Sequence, residues 1–273
     1  MQFRWLATCA VLAATQAHAA WVEKAYAVPS RPGVEVTFVL SMEKSITDSN
    51  AVKNMVMLLP GGAGAIASPE AGFQEQAPGN LKSLRGYLAE KLGVAVSIGL
   101  PSDQPRGLSL EWRETDEHVK DVSAVMDVLT KKFPEARITV LGFSNGCRSA
   151  SHIGAAMTRQ WGPTLQGVVL MSASIDAFRG EWMRALEATK ERAKVPVLVV
   201  QHKRDSCLPT REIEADAKWH DFIRVEDIKQ PRPSDFRRDC GGGSAHQFSG
   251  REDWVYQAVV DWIKTGKVTE LSN

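Results

Sequence analysis

Five near-continuous apolar runs with many β-branched residues, at residues 52–59, 94–100, 138–141, 165–172 and 195–201, constrain the fold more than any other feature of the sequence. A strand that is apolar at nearly every position must be buried on both faces, so the sheet that holds it needs cover above and below. Residues 34–40 and 222–228 add a first and a last strand of more mixed character. Between the strands, residues 81–92, 114–133 and 145–160 carry helical spacing. In the second of these, Val119, Val122, Val125, Met126 and Leu129 fall on one stripe. A last helix is expected at 254–264, with Val255, Val259 and Ile263 facing inward. This alternation predicts an α/β protein with a mostly parallel central sheet and helices on both faces. Sheets of this kind gather ligands at the carboxyl ends of their strands.

The first residues bear on the compartment. Arg4 precedes an apolar run from Trp5 to Ala14, and Ala17-His18-Ala19 follows. A charged start, a short apolar stretch and a small-x-small site describe a secretory signal peptide. A membrane span would need about 20 apolar residues, more than this run supplies. The expected organisation is therefore a signal peptide over 1–19 and a single domain over 20–273, exported to the periplasm or secreted, with no stable membrane insertion after cleavage. The formal charge is +1, and residues 1–19 contain Arg4 and no acid, so the remainder is neutral. No basic patch points to nucleic acid or an anionic surface. Beyond residue 19 stand Cys147, Cys207 and Cys240, enough for one disulfide and one thiol.

Residues 138–146 read Ile-Thr-Val-Leu-Gly-Phe-Ser-Asn-Gly. Gly142-x-Ser144-x-Gly146 fits the pattern in which a sharp turn from strand to helix lifts a serine above the sheet. A buried strand precedes it, and Ser149, Ala150, Ala155 and Ala156 would let the following helix lie close to that sheet. Over nearly the whole of residues 20–273 the chain resembles the α/β-hydrolase superfamily. The resemblance implies an α/β-hydrolase fold with Ser144 as nucleophile, an acid in a later loop and a histidine near the C-terminus, in that order.

The same resemblance assigns the remaining parts. The loop Pro60-Gly61-Gly62-Ala63-Gly64 ends an earlier buried strand and stands where relatives often carry His-Gly-Gly. It implies an oxyanion hole from the backbone N–H groups of Asn145 and Gly62, with Ala63 as the alternative to Gly62. A phosphate-cradling loop would need the Lys-Ser/Thr or the third glycine of its motifs, and neither is here. Asp205, beyond the run at 195–201, is the implied triad acid, with Asp176 as its rival in the preceding loop. His246, in the glycine-rich segment before the last helix, is the implied base. His118, His152 and His220 read as helix residues without a role, and His202 as a neighbour of the acid loop.

Once Asp205 and His246 meet, Cys207 and Cys240 come close, so the resemblance implies a disulfide between them. The rival from another class is a zinc site using His202, Cys207, Cys240 and His246, although the spacings match no standard pattern. The implied activity is hydrolysis of an ester through a Ser-His-Asp acyl-enzyme, with no metal or organic cofactor. A peptidase or acyltransferase on the same triad, and a non-catalytic binding protein, stay open. Residues 172–195 leave room for about one helix, at 178–194, which predicts a minimal lid or none and a small or water-soluble ester. Residues 101–113, with Asp103, Arg106 and Trp112, are either a pocket wall or a surface loop.

Overall fold

The computed structural model describes residues 20–66, 81–161, 164–173, 195–207, 221–225, 239–241 and 243–268. Its frame is an eight-stranded sheet: Trp21–Arg31 (β1), Val34–Glu43 (β2), Asn54–Leu59 (β3), Gly93–Pro101 (β4), Arg137–Phe143 (β5), Leu165–Met171 (β6), Val197–His202 (β7) and Asp221–Val225 (β8). The order across the sheet is β1-β2-β4-β3-β5-β6-β7-β8. β1 pairs antiparallel with β2, and β2 with β4; every other pairing is parallel.

The apolar runs form the parallel strands because each sends side chains to both faces. Along β3, Met55, Met57 and Leu59 join one core layer, and Val56 and Leu58 join the other. Asp116–Lys132 (α2) and Gly146–Gln160 (α3) cover the first face; Leu81–Leu92 (α1) and Glu252–Thr265 (α4) cover the second. The α2 helix starts where Thr115 accepts from the His118 N–H, and its charges oppose its dipole, with Asp116 and Glu117 in the first turn and Lys131 and Lys132 in the last. Of its expected stripe, Val122, Val125, Met126 and Leu129 are buried and Val119 is partly so.

Two features depart from the sequence reading. β1 was not anticipated, because its alternating, half-exposed residues include Pro29 and Ser30. Asp121 is buried in the apolar face of α2, and it is what ties that helix to β1. Its carboxylate accepts from Arg31 Nε at 2.8 Å and Nη2 at 3.1 Å, and from Ser30 Oγ at 2.5 Å. The Arg31 guanidinium also reaches Asp103 at 2.9 Å and lies over the Trp112 ring, 5.2 Å from its centroid. The segment from 101 to 115 is thereby fastened to the edge strand. The expected helix at 178–194 lies outside the described residues, as do residues 1–19. No described helix is long and apolar enough to cross a membrane.

Replacing a buried acceptor of charged donors costs about 1.5–3 kcal/mol for each bond lost. Asp121→Ala, which removes two such bonds from Arg31 and the one from Ser30, is expected to destabilise the fold by about 3–6 kcal/mol, and urea unfolding followed by circular dichroism would read this as a lower midpoint.

Candidate functional site

Ser144 stands between β5 and α3, at the carboxyl end of the sheet, with φ of 52°. That left-handed conformation costs a non-glycine residue roughly 1–2 kcal/mol. It is held by the Ser144 N–H bonding to Met171 O at 2.9 Å and by Cys147 N–H bonding to Ser144 O at 2.9 Å. The flanking glycines are there for space. A Cβ on Gly146 would sit 1.9 Å from Leu59 O, and one on Gly142 would sit 2.5 Å from Gly146 O. Cys147, fully buried, points its thiol at the carbonyls of Gly142 and Met171, each 3.3 Å away, and burial raises its pKa. Ser144 and Asn145 remain half-buried.

Asp205 and His246 meet. His246 Nδ1 and Asp205 Oδ2 are 2.9 Å apart, with both side chains almost wholly buried. The other contacts of that carboxylate are donors: Gln201 Nε2 to Oδ2 at 3.1 Å and Cys207 N–H to Oδ1 at 3.0 Å. A carboxylate accepting on this side places the proton on His246 Nδ1 and leaves Nε2 as an acceptor. His246 sits on a short 3-10 turn, Ala245–Gln247, whose backbone is pinned by Ser172 Oγ donating to His246 O at 2.7 Å. Its ring meets the Phe143 ring edge-on, with centroids 5.5 Å apart, which sets it beside the Ser144 turn. Among the described residues the Ser144 hydroxyl makes no hydrogen bond to His246. Gln201 and Ser172 were not singled out from the sequence. Asp176 and His220 lie outside the described residues.

The Cys207–Cys240 disulfide is present, with Cα atoms 4.9 Å apart. It joins the segment bearing Asp205 to the one bearing His246. Asp205, Cys207 and His246 bring potential ligand atoms within 4.8 Å of one another, but the Cys207 sulfur is bonded to Cys240 and offers no thiolate. His202 shapes the acid turn instead: its Nδ1 accepts from the Arg204 N–H at 3.0 Å, and its carbonyl accepts from the Asp205 N–H at 3.0 Å.

On the other side of Ser144 lies the loop after β3. Gly61 packs against it, close enough that a Cβ there would be 2.9 Å from Ser144 Cβ. The Gly64 N–H closes a turn onto Gly61 O at 2.9 Å, with Gly62 at φ 52°. A positive φ at the first central position is the pattern of a type II′ turn and is the reason glycine stands there. Gly62 and Ala63 are exposed, and among the described residues neither their N–H groups nor that of Asn145 has an acceptor. Beneath the loop is a buried cluster that sequence reasoning missed. Arg113 Nη2 donates to Gly62 O at 3.0 Å, and its Nη1 to Pro60 O at 3.2 Å and to Ser149 Oγ at 3.0 Å. Ser149 Oγ is in turn 3.0 Å from His118 Nε2, and His152 Nε2 is 3.1 Å from Thr115 O. His118 and His152 are thus parts of a hydrogen-bonded interior. The segment from 101 to 115 packs on this loop, with the Leu108 N–H bonding to Ala63 O at 2.9 Å.

Burial, with Arg113 and His152 nearby, lowers the His118 pKa from 6.5 to about 3. The folded state therefore stays neutral at His118 while the unfolded chain takes up a proton below about pH 6.5, so acid favours unfolding. Between pH 7 and 5 this residue alone should remove about 2 kcal/mol of stability, a loss that urea titrations at the two pH values should show and that His118→Gln should abolish. Reducing the disulfide, which closes a loop spanning 33 residues, should cost about 3–4 kcal/mol in the chain-entropy model. Thermal melts with and without reductant would measure it.

No protein-family profile matches the sequence, and no curated protein matches it. Solved structures do match. An α/β serine hydrolase homologue from Coxiella burnetii is 15% identical, with 87% of this chain and 96% of that one covered and a TM-score of 0.57. Est1E from Butyrivibrio proteoclasticus is also 15% identical, over 88% of this chain and 98% of its own, with a TM-score of 0.58. An esterase from Pyrobaculum calidifontis is 16% identical over 90% and 86% of the two chains, with a TM-score of 0.55. Likeness at such identities speaks to architecture. Together with the strand order, the crossover at β3 and β4 and the helices on both faces, it establishes that this chain has the α/β-hydrolase fold.

Proposed function

We propose that the chain is a serine hydrolase that cleaves esters through an acyl-enzyme. The observation that carries this reading is the buried His246–Asp205 pair, set beside a serine in a left-handed turn at the carboxyl end of the sheet. In the proposed reaction Ser144 Oγ attacks the ester carbonyl carbon and gives its proton to His246 Nε2. The carbonyl π electrons move to oxygen, and the new oxyanion is met by the N–H groups of Asn145 and of Gly62 or Ala63. The ester C–O bond then breaks, and the leaving alkoxide takes the proton from His246. Water, deprotonated by His246, attacks the acyl-serine carbonyl; the bond from the acyl carbon to Ser144 Oγ breaks, Ser144 takes the proton back from His246, and the acid leaves. Asp205 holds the imidazole in its Nδ1–H tautomer and stabilises the imidazolium; Gln201 and the Cys207 N–H hold Asp205.

In this reading acyl transfer uses only side chains and backbone groups of the chain. Esterases stand among the structural neighbours, and so do prolyl endopeptidases; the proposal takes the ester, and the anilide comparison below separates the two. An exported protein fits both the composition of residues 1–19 and the disulfide, which persists in oxidising compartments.

Labelling with a fluorophosphonate probe, alongside turnover of short p-nitrophenyl esters and matching anilides, tests the reading. Ser144→Ala should lose labelling, with kcat reduced by on the order of 10⁴–10⁶. Asp205→Asn should keep the fold and lose about 10⁴ in kcat through the wrong histidine tautomer. Unchanged labelling of Ser144→Ala would refute the assignment of the nucleophile, and anilides cleaved faster than esters would favour a peptidase.

A further inference from the structure

Arg113 is 1% exposed, and among the described residues no carboxylate pairs with it. A buried guanidinium is normally matched with an acid, because taking the charge out of water costs several kcal/mol. Here desolvation lowers its pKa to about 10, which leaves it charged at neutral pH. Two of its three hydrogen bonds go to carbonyls of the loop beside Ser144, and the third goes to Ser149. Among the described residues its Nε has no acceptor.

The direction of those bonds matters. No cis peptide occurs in the described chain. In a trans peptide the N–H points opposite to the C=O. With Gly62 O drawn inward to Arg113, the N–H of the same peptide unit, that of Ala63, is turned outward toward the exposed side. It has no acceptor there, and the backbone one peptide earlier touches Ser144. Charge-assisted donation to a carbonyl also polarises the peptide, making its N–H a stronger donor.

We propose that Arg113 is a positioning residue for the oxyanion hole: it fixes the Gly62–Ala63 peptide so that the Ala63 N–H faces the carbonyl oxygen of an ester at Ser144, and its unbalanced positive charge strengthens that N–H. The proposal rests on the serine-hydrolase reading above. It also selects Ala63 over Gly62 as the donor from this loop. Ser149 accepts from Arg113 and shares a hydrogen bond with neutral His118, which keeps the fork oriented without bringing an anion to cancel its charge.

The test compares the wild type, Arg113→Met and Arg113→Lys on p-nitrophenyl acetate and on its thionoacetate counterpart. Sulfur accepts hydrogen bonds weakly, so a donor to the oxyanion matters far more for the oxoester. For Arg113→Met we expect kcat on the oxoester to fall about 10–100-fold with KM little changed, and the oxo-to-thiono rate ratio to fall about 10-fold. A purely structural role would slow both esters alike. A folded Arg113→Met with unaltered ratio overturns the proposal, while probe labelling of wild type at Ser144 shows the serine reading intact. If the methionine variant does not fold, Arg113→Lys decides: its single ammonium cannot span both carbonyls as the fork does, and an unaltered ratio there overturns the proposal equally. A wild type that neither labels nor turns over esters refutes the serine reading itself.

Discussion

The approach of α3 to the sheet at Gly146 is the contact on which the rest of the arrangement depends. With only hydrogen on Gly146, the first turn of α3 lies directly against the Leu59 carbonyl, and no larger residue leaves that distance intact. This sets the end of β3 beside the end of β5. The loop leaving β3 is therefore forced alongside the turn leaving β5, and Gly61 comes into contact with Ser144. The left-handed serine follows from the same geometry, since the chain must reverse from strand to helix within two residues. Its conformational cost is offset locally by its backbone bonds to Met171 and Cys147. Cys147, directly behind it, fills the remaining space with a thiol that burial keeps protonated.

What could be read from the sequence divides along physical lines. Strands β3 to β7 were visible because burial on both faces demands continuous apolar residues, and α2 because one stripe of it packs on the sheet. β1 was not, since an edge strand half open to water needs no such run. The elbow was visible because its glycines are a local steric requirement. Asp205 and His246 are 41 residues apart, and only resemblance to a known fold could pair them. Arg113 escaped entirely. It sits on a single 3-10 turn among Glu111, Trp112 and Glu114, and no periodicity separates it from the solvated residues around it. Its burial is decided by the segment from 101 to 115 folding over the β3 loop. His118 and His152 looked like helix filler for the same reason: their partners, Ser149 and the Thr115 carbonyl, come from elsewhere in the chain.

Both buried polar groupings flank Ser144, and each is tied to the fold by a device of its own. The Asp205–His246 pair is backed by Gln201, by the Cys207 N–H and by Ser172 on the neighbouring strand end, and the disulfide joins the two segments covalently. The Arg113 group has no covalent tie. It is held by the packing of residues 101–115 and by the anchor of that segment on Arg31, where Asp103 and the Trp112 ring meet the edge strand. The antiparallel edge, which takes no part in the site directly, thus supports the loop that does.

The two groupings also differ in sign, and the placement matches the charges that form in the proposed reaction. The carboxylate lies behind the imidazole, where positive charge develops as the proton leaves serine. The guanidinium lies behind the Gly62–Ala63 peptide, where negative charge develops on the former carbonyl oxygen. Each buried charge acts through one intermediary, a ring in the first case and a peptide unit in the second, so neither competes with substrate for contact at Ser144. Arg113 has no carboxylate partner among the described residues, which is costly to stability, and an acid paired with it would cancel the field at the loop. A buried cation with no carboxylate partner among the described residues makes physical sense if its field is used, and in the proposed cycle the oxyanion forms on the far side of the peptide that Arg113 holds.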